Sequence, residues 1–339
     1  MKKNKKIVLT GDRPTGPLHL GHYVGSLKNR VEMQDKYDSY FIIADYQVLT
    51  DQLSKVEDIE KNINEIVLDY LSVGIDSDKS TIFVQSQIPE IAELTLLFSM
   101  LVTMARVERN PTVKDEIRAS GTKKASLGFI GYPVSQAADI LCVRADAVPV
   151  GKDQLPHIEI TREIASTFNR LFGKVFPVPE AILSQTPTLP GLDGQKMSKS
   201  RNNAIFLSDS PKIVEEKVMK AITDPKKIHL GDPGRPEICN IYQYYLAFFP
   251  EKATHSTSSG QEGIKSLCEA GKIGCVAGKK QLAKMLNEFL EPIRDKRNDF
   301  AKKPNLIKDI LEQGRKKTQK RVAETLALAK QAMKMKYKF

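Results

Sequence analysis

The chain has only four cysteines in 339 residues, so no disulfide framework holds it together. It has no apolar stretch long enough to cross a bilayer. It opens with a charged run, Met1-Lys-Lys-Asn-Lys-Lys6, but only Ile7-Val-Leu9 follows before Thr10-Gly-Asp12. That is too short for the apolar core of a secretory signal. Internal repeats and long low-complexity tracts are also missing, which argues against repeat architectures. These absences together point to a cytoplasmic chain with no membrane partner.

What is present is an ordinary apolar share, 41%, and a length that suits one large domain or two of common size. Such a chain buries most of its apolar surface without staples. Lys and Arg number 52 against 41 Asp and Glu, a formal charge of +11. Residues 301–339 hold 12 of the basic side chains and 3 of the acidic ones. Nearly all the excess thus sits in one helical-looking segment. A polyanion such as RNA, an anionic membrane surface and a plain solvated helix face all fit that pattern.

Ile7-Val-Leu-Thr10, Ser39–Ala44, Ser80–Val84 and Val148–Val150 read as short buried strands. Helical spacing runs from Leu18 through Val31, from Val56 to Val73 and from Leu155 to Phe172. Strands and helices in alternation give an α/β fold, a Rossmann-like parallel sheet, to about residue 207. From 208 to 339 helical patterns dominate, over Pro211–Thr223, Pro236–Phe249, Lys279–Phe300 and Thr318–Met335. The expected organisation is therefore a catalytic α/β domain over 1–207 and a C-terminal helical domain over 208–339. Residues 251–263, rich in Ser, Thr and Gly, read as a loop.

Two strings carry chemistry. Thr15-Gly-Pro-Leu-His19-Leu-Gly21-His22 follows the first strand where a helix begins, the edge at which open α/β sheets bind ligands. A helix N-terminus offers N–H groups and a positive dipole end to phosphates. Gly21 lets a flat nucleotide approach the backbone, and His19 and His22 are three apart and expected on one helical face. Their imidazoles can donate to a phosphate gaining charge. Alone, the string is a weak signal, and a chance loop with a capping role also fits it. The second string, Lys196-Met-Ser-Lys199-Ser200, follows Pro190-Gly-Leu-Asp-Gly194. Two ammonium groups with hydroxyls beside them suit a pyrophosphate leaving group, on a loop able to close over it.

In that order the two strings resemble the HIGH and KMSKS signatures of the class I aminoacyl-tRNA synthetases. Gly11-Asp-Arg-Pro-Thr-Gly16, Tyr132–Ile140 and Val150–Arg162 narrow the resemblance to the bacterial tryptophanyl branch. The resemblance spans nearly the whole chain. It implies a ligase that joins L-tryptophan to tRNA(Trp) through an adenylate, using ATP with its Mg2+. It implies His19, His22, Lys196 and Lys199 as catalytic residues. It places Arg13, Pro14, Thr15, Gly21, His22, Gly151, Lys152 and Asp153 at the nucleotide, with Leu189 near the adenine and Lys196, Met197, Ser198, Lys199 and Ser200 over the phosphates. It also implies a homodimer whose basic C-terminal domain contacts tRNA.

For the amino acid, the resemblance assigns Asp139 to the indole N–H. Gln136 and Tyr132 lie one and two turns before Asp139 on the same helical face. An indole nitrogen only donates, so a carboxylate suits it, but a phenol hydroxyl suits it as well. The tyrosine branch typically has a Tyr two residues before the glycine of the first loop, where this chain has Leu9. Leu9 packs on a ring and bonds no hydroxyl, which favours tryptophan. Gln136 cuts the other way, since it is usual in tyrosine enzymes where many tryptophan enzymes have Met. A small-molecule nucleotidyltransferase with an HxGH loop and a non-catalytic RNA-binding relative are the remaining alternatives. The late KMSKS loop argues against the first, and the intact His and Lys residues against the second.

Some members of the tryptophanyl branch hold an iron–sulfur cluster on four cysteines. Here Cys239, Cys268 and Cys275 keep part of that spacing, and Gly278 stands where the last ligand belongs. Because four thiolates normally hold such a cluster, a degenerate site without a cluster or other metal is expected. Cys142 is expected in the core.

Overall fold

The computed structural model describes residues 5–50, 52–120, 125–183, 189–199, 201–254 and 262–337. They fall into two compact units, one within residues 1–15, 29–184 and 303–339, the other within 16–28 and 185–302.

The first unit is built on five parallel strands: β1 (Ile7–Asp12), β2 (Asp38–Ile43), β3 (Ser80–Val84), β4 (Ala147–Val150) and β5 (Glu180–Leu183). Their spatial order is β3-β2-β1-β4-β5. β1 and β2 pair in register from Ile7 opposite Asp38 to Asp12 opposite Ile43. All five residues of β3 are buried. Helices cover both faces of such a sheet, so its central strands are apolar runs without alternation. The strand order reverses between β1 and β4, and a crevice opens at the carboxyl ends of strands at such a point.

Expectation and structure agree on β3 and on the helix Leu155–Phe172, and differ by a residue or two at β1 and β2. Two kinds of element were not anticipated. β5 is only four residues long and follows a proline-rich stretch. The insertion between β3 and β4 adds helices at Glu90–Ser99, Met104–Glu108 and Pro111–Ser120 ahead of Leu127–Cys142. The first of these buries Ile91, Leu94, Leu97 and Phe98 at helical spacing, but the exposed Leu96 on another side blurs the stripe.

The C-terminal helix Pro304–Ala332 belongs to this first unit. Val322, Leu326 and Ala329 recur at helical spacing and enter the same core as Leu9, Phe83, Phe98, Ile158 and Phe168. Gly314 lets the helix backbone lie against β3, where a Cβ would run into the Ile82 carbonyl. Arg321 Nε donates to the Val143 carbonyl at 2.6 Å. A single cut after residue 207 therefore does not describe the chain. The basic C-terminal helix has an apolar stripe that packs on the sheet side, and composition alone grouped it with the other helices.

The second unit packs helices Pro211–Lys220, Asn240–Phe248 and Cys275–Ala301 around Val214, Val218, Tyr244, Tyr245, Leu282, Leu286 and Leu290. The expected loop at 251–263 is helical over Pro250–Thr254, and residues 255–261 lie outside the described residues.

Candidate active site

In the second unit the HLGH string forms the start of a helix, Leu20–His22, followed directly by a π-helical turn, Tyr23–Leu27. Such turns are rare and concentrate at functional sites. His19 stands before the helix as its N-cap, so the two histidines do not simply share a helical face. The backbone N–H of His22 donates to His19 Nδ1 at 3.3 Å, and that of His19 donates to His22 Nδ1 at 3.2 Å. This is a capping box built from two imidazoles. Backbone N–H groups only donate, so both Nδ1 atoms must accept. In the neutral rings the proton then resides on Nε2. The reciprocal cap thus sets both rings, with centroids 3.7 Å apart, as paired Nε2–H donors. That is the form needed to stabilise a phosphoryl group gaining negative charge.

The KMSKS loop lies against this turn within the same unit. The Gly21 N–H reaches Met197 Sδ at 3.3 Å. Lys199 Nζ donates to the Gly16 carbonyl at 2.6 Å. Lys196 pairs with Pro190 through an antiparallel bridge. A Cβ at Gly21 would come within 3.0 Å of the His19 ring and 3.3 Å of Met197 Sδ, so the glycine allows this close stacking. Leu18 and Leu20 bond residues 205 and 207, through Leu20 N–H to Ile205 O at 2.9 Å and Leu207 N–H to Leu18 O at 3.0 Å. Leu189 is buried in this unit, and Ser200 lies outside the described residues.

A residue with no assigned role organises the loop. Asn203, 3% exposed, accepts from the Ser198 N–H at 2.8 Å. Its Nδ2 donates to Asp193 Oδ1 at 2.8 Å and to the Lys196 carbonyl at 3.2 Å. The Asn203 bond leads the causes that hold the Asp193 carboxyl below its ordinary range. Asn240 Nδ2 donates to Gly191 O at 2.8 Å, and the Tyr244 hydroxyl to Pro190 O at 3.0 Å.

In the first unit, Arg13, Pro14 and Thr15 follow β1, and Gly151, Lys152 and Asp153 follow β4. These are the two strands at which the order reverses. Arg30 braces the end of β1. Its Nη1 donates to Asp12 Oδ2 at 2.6 Å and to the Tyr70 hydroxyl at 2.8 Å, and the same hydroxyl donates to Asp12 at 2.6 Å. Leu9 is buried in the core of β1.

The helix Leu127–Cys142 carries Tyr132, Gln136 and Asp139. Tyr132 and Gln136 are half-buried, whereas Asp139 is 3% exposed. Gln85 Nε2 donates to Asp139 Oδ1 at 2.7 Å. Burial pushes the Asp139 carboxyl up to about 7, the Gln85 bond opposes that rise, and nearby Asp45 adds to it. Tyr132 joins a chain of polar groups. Asn110 Nδ2 lies 3.1 Å from His157 Nδ1, and the Tyr132 hydroxyl lies 3.1 Å from His157 Nε2. Burial lowers the imidazole to about 4, so it is neutral at pH 7. Asn110 then donates to Nδ1, and the Nε2–H points to the Tyr132 oxygen. Burial and a hydrogen bond to Glu116 raise the Tyr132 hydroxyl above its ordinary value.

Gln85, His157, Asn110 and Asn203 were not identified from the sequence. Gln85 had a usable signal, a polar residue directly after a buried strand at the ligand edge of the sheet. Asn203 follows the KMSKS string closely. His157 and Asn110 acquire meaning only through contacts 47 and 25 residues apart in the chain.

Cys239, Cys268 and Cys275 line one cavity of the second unit, together with Lys227 and Gly278. Among the described residues no three His, Cys, Asp or Glu side chains gather in a metal-ligating group, and no helix is long and apolar enough to cross a membrane.

Comparison with known proteins matches residues 1–291 to the family described as tRNA synthetases class I (W and Y). A tryptophan–tRNA ligase of Streptococcus mutans is 47% identical, with 98% of this chain and 99% of the relative covered. One from Chlamydia caviae is 46% identical over 96% of this chain and 97% of the relative. The crystal structure of tryptophanyl-tRNA synthetase from Campylobacter jejuni, complexed with ADP and tryptophan, superposes with a TM-score of 0.84. It is 34% identical and covers 97% of this chain and 99% of that one.

Proposed function

Because the chain belongs to the class I tRNA synthetases of the tryptophan and tyrosine branch, we propose that it activates L-tryptophan with ATP and transfers it to tRNA(Trp). A carboxylate oxygen of tryptophan attacks the α-phosphorus of ATP. The bond from that phosphorus to the bridging oxygen breaks and pyrophosphate leaves. The 2′-hydroxyl of the tRNA 3′-terminal ribose then attacks the adenylate carbonyl, AMP departs and the hydroxyl proton is lost. The protein supplies no nucleophile, so its work is positioning and charge stabilisation.

The observation that carries this reading is the reciprocal histidine cap with the KMSKS loop docked beside it. His19 and His22 present Nε2–H donors to the phosphates, and Lys196 and Lys199 neutralise the departing pyrophosphate. Lys199 leaves or shares the Gly16 carbonyl to do so. Arg13, Pro14, Thr15, Gly21, Gly151, Lys152 and Asp153 hold the nucleotide, Leu189 packs near the adenine, and Met197, Ser198 and Ser200 complete the loop over the phosphates. Mg2+ enters on the phosphates as part of the ATP substrate. Asp139 accepts the indole N–H, and Tyr132, Gln136 and Leu9 line the amino-acid pocket. The names of the relatives support tryptophan over tyrosine.

The working enzyme in this reading is a cytoplasmic homodimer, and basic side chains of the C-terminal helix contact tRNA phosphates. Cys239, Cys268 and Cys275 hold no iron–sulfur cluster, because Gly278 supplies no fourth thiolate. Iron found by native mass spectrometry of anaerobically purified protein would overturn that part. Pyrophosphate exchange into ATP tests the whole: it is expected with tryptophan and not with tyrosine. Exchange with neither would remove the ligase reading, and exchange with tyrosine alone would reverse the substrate.

A further inference from the structure

Gln85 follows β3 immediately, and its side chain is fully buried. The two ends of its amide differ in their surroundings. Nε2 is committed to Asp139 Oδ1 at 2.7 Å, and Oε1 is buried with no hydrogen-bond partner among the described residues. With Asp139 ionised, as the reading of it as acceptor requires, turning the amide over would not repair this, because it would set the carbonyl against the carboxylate. A buried carbonyl oxygen left without a donor is costly, and such groups are rare unless a water, an ion or a ligand completes them. The same contact occupies one Asp139 oxygen and leaves the other available to a further donor.

We propose that Gln85 is a specificity-determining residue of the amino-acid pocket, presenting with Asp139 two hydrogen-bond acceptors and no donor to the ring edge of the substrate. This rests on the tryptophan reading above. The indole N–H, which donates and never accepts, satisfies such an edge. A phenol hydroxyl also donates, but its own oxygen then meets no donor, because the Gln85 N–H is already spent on Asp139. A buried polar atom left unpaired in the complex is what allows a site to reject a near-isostere. Gln85 thereby makes the shared Asp139 selective for one of the two aromatic donors.

The test combines a substrate change with a side-chain change. Pyrophosphate exchange is measured with tryptophan, with tyrosine, and with β-(3-benzothienyl)alanine, whose ring sulfur replaces the N–H. In the parent protein the sulfur analogue is expected to lose roughly 100-fold in kcat/KM. In Gln85→Met the preference for tryptophan over tyrosine in kcat/KM is expected to fall about 10-fold, the sulfur analogue still loses through Asp139, and the KM for ATP stays as it was. Gln85→Asn, which keeps an amide but withdraws it by one methylene, gives the same fall if the Met variant folds poorly. A tryptophan preference unchanged in both variants, with the parent still active on tryptophan, overturns the role of Gln85 alone. A parent that exchanges with tyrosine and not with tryptophan overturns the substrate reading, and the inference falls with it.

Discussion

The ionisation of Asp139 couples burial to substrate binding. Its carboxyl, raised from 3.8 to about 7 by burial, stays protonated in the folded chain where the unfolded chain has lost the proton. The folded state thus binds more protons between about pH 4 and 7, and stability falls as pH rises through that window, levelling above it. His157 acts in the opposite sense. Its value falls from 6.5 to about 4, so its contribution is present above 6.5 and lost as pH drops toward 4. The two trends separate by substitution. The two slopes oppose each other between about pH 4 and 6.5, so Asp139→Asn is expected to leave a urea midpoint that rises with pH over that window, under His157 alone. In the parent, the KM for tryptophan is expected to rise as pH drops below about 7, where the acceptor gains a proton. A KM flat from pH 6 to 8 would remove Asp139 as the acceptor.

At the scale of elements, the HLGH turn combines a structural and a chemical task in the same rings. His19 caps the helix through Nδ1 and keeps Nε2 as the donor, so substitution can separate the two tasks. Asparagine is among the best N-cap residues. His19→Asn is therefore expected to keep the thermal midpoint while slowing adenylate formation about 100-fold. An equal loss of stability would mean that capping accounts for the phenotype. The KMSKS loop is held by the three hydrogen bonds of Asn203. Asn203→Ala is expected to raise the KM for ATP several-fold and leave the KM for tryptophan unchanged, as initial-rate exchange kinetics would show. Lys199→Ala should slow adenylate formation in single-turnover assays far more than it weakens tryptophan binding. Unchanged turnover would rule out its role on the leaving group.

For the whole molecule, the C-terminal helix matters most. It carries much of the positive charge, yet its apolar stripe completes the core of the sheet-containing unit. A chain ending at Lys302 is expected to lose tryptophan-dependent exchange as well as tRNA charging, and to expose apolar surface to a dye such as ANS. Lys316→Glu with Lys320→Glu, both on exposed positions, should weaken charging at low salt and leave exchange intact. A truncated chain with full exchange activity would show that the helix serves tRNA alone.

The sequence by itself determined the parallel α/β architecture, the HLGH and KMSKS strings and the helical spacing of Tyr132, Gln136 and Asp139, because these are written in short-range spacing. Helical periodicity even set the bounds of Leu155–Phe172. Tertiary structure alone decided three things. It assigned the helix 304–332 to the sheet unit, since charge composition masks an apolar stripe whose partner lies some 230 residues earlier at β3. It fixed the tautomers of His19 and His22 through backbone N–H groups that sequence spacing does not orient. It also brought Gln85 to Asp139 and Asn110 to His157, pairs far apart in the chain that no local pattern links. Chemistry that depends on which atom faces which arises from packing, and packing is a property of the folded chain.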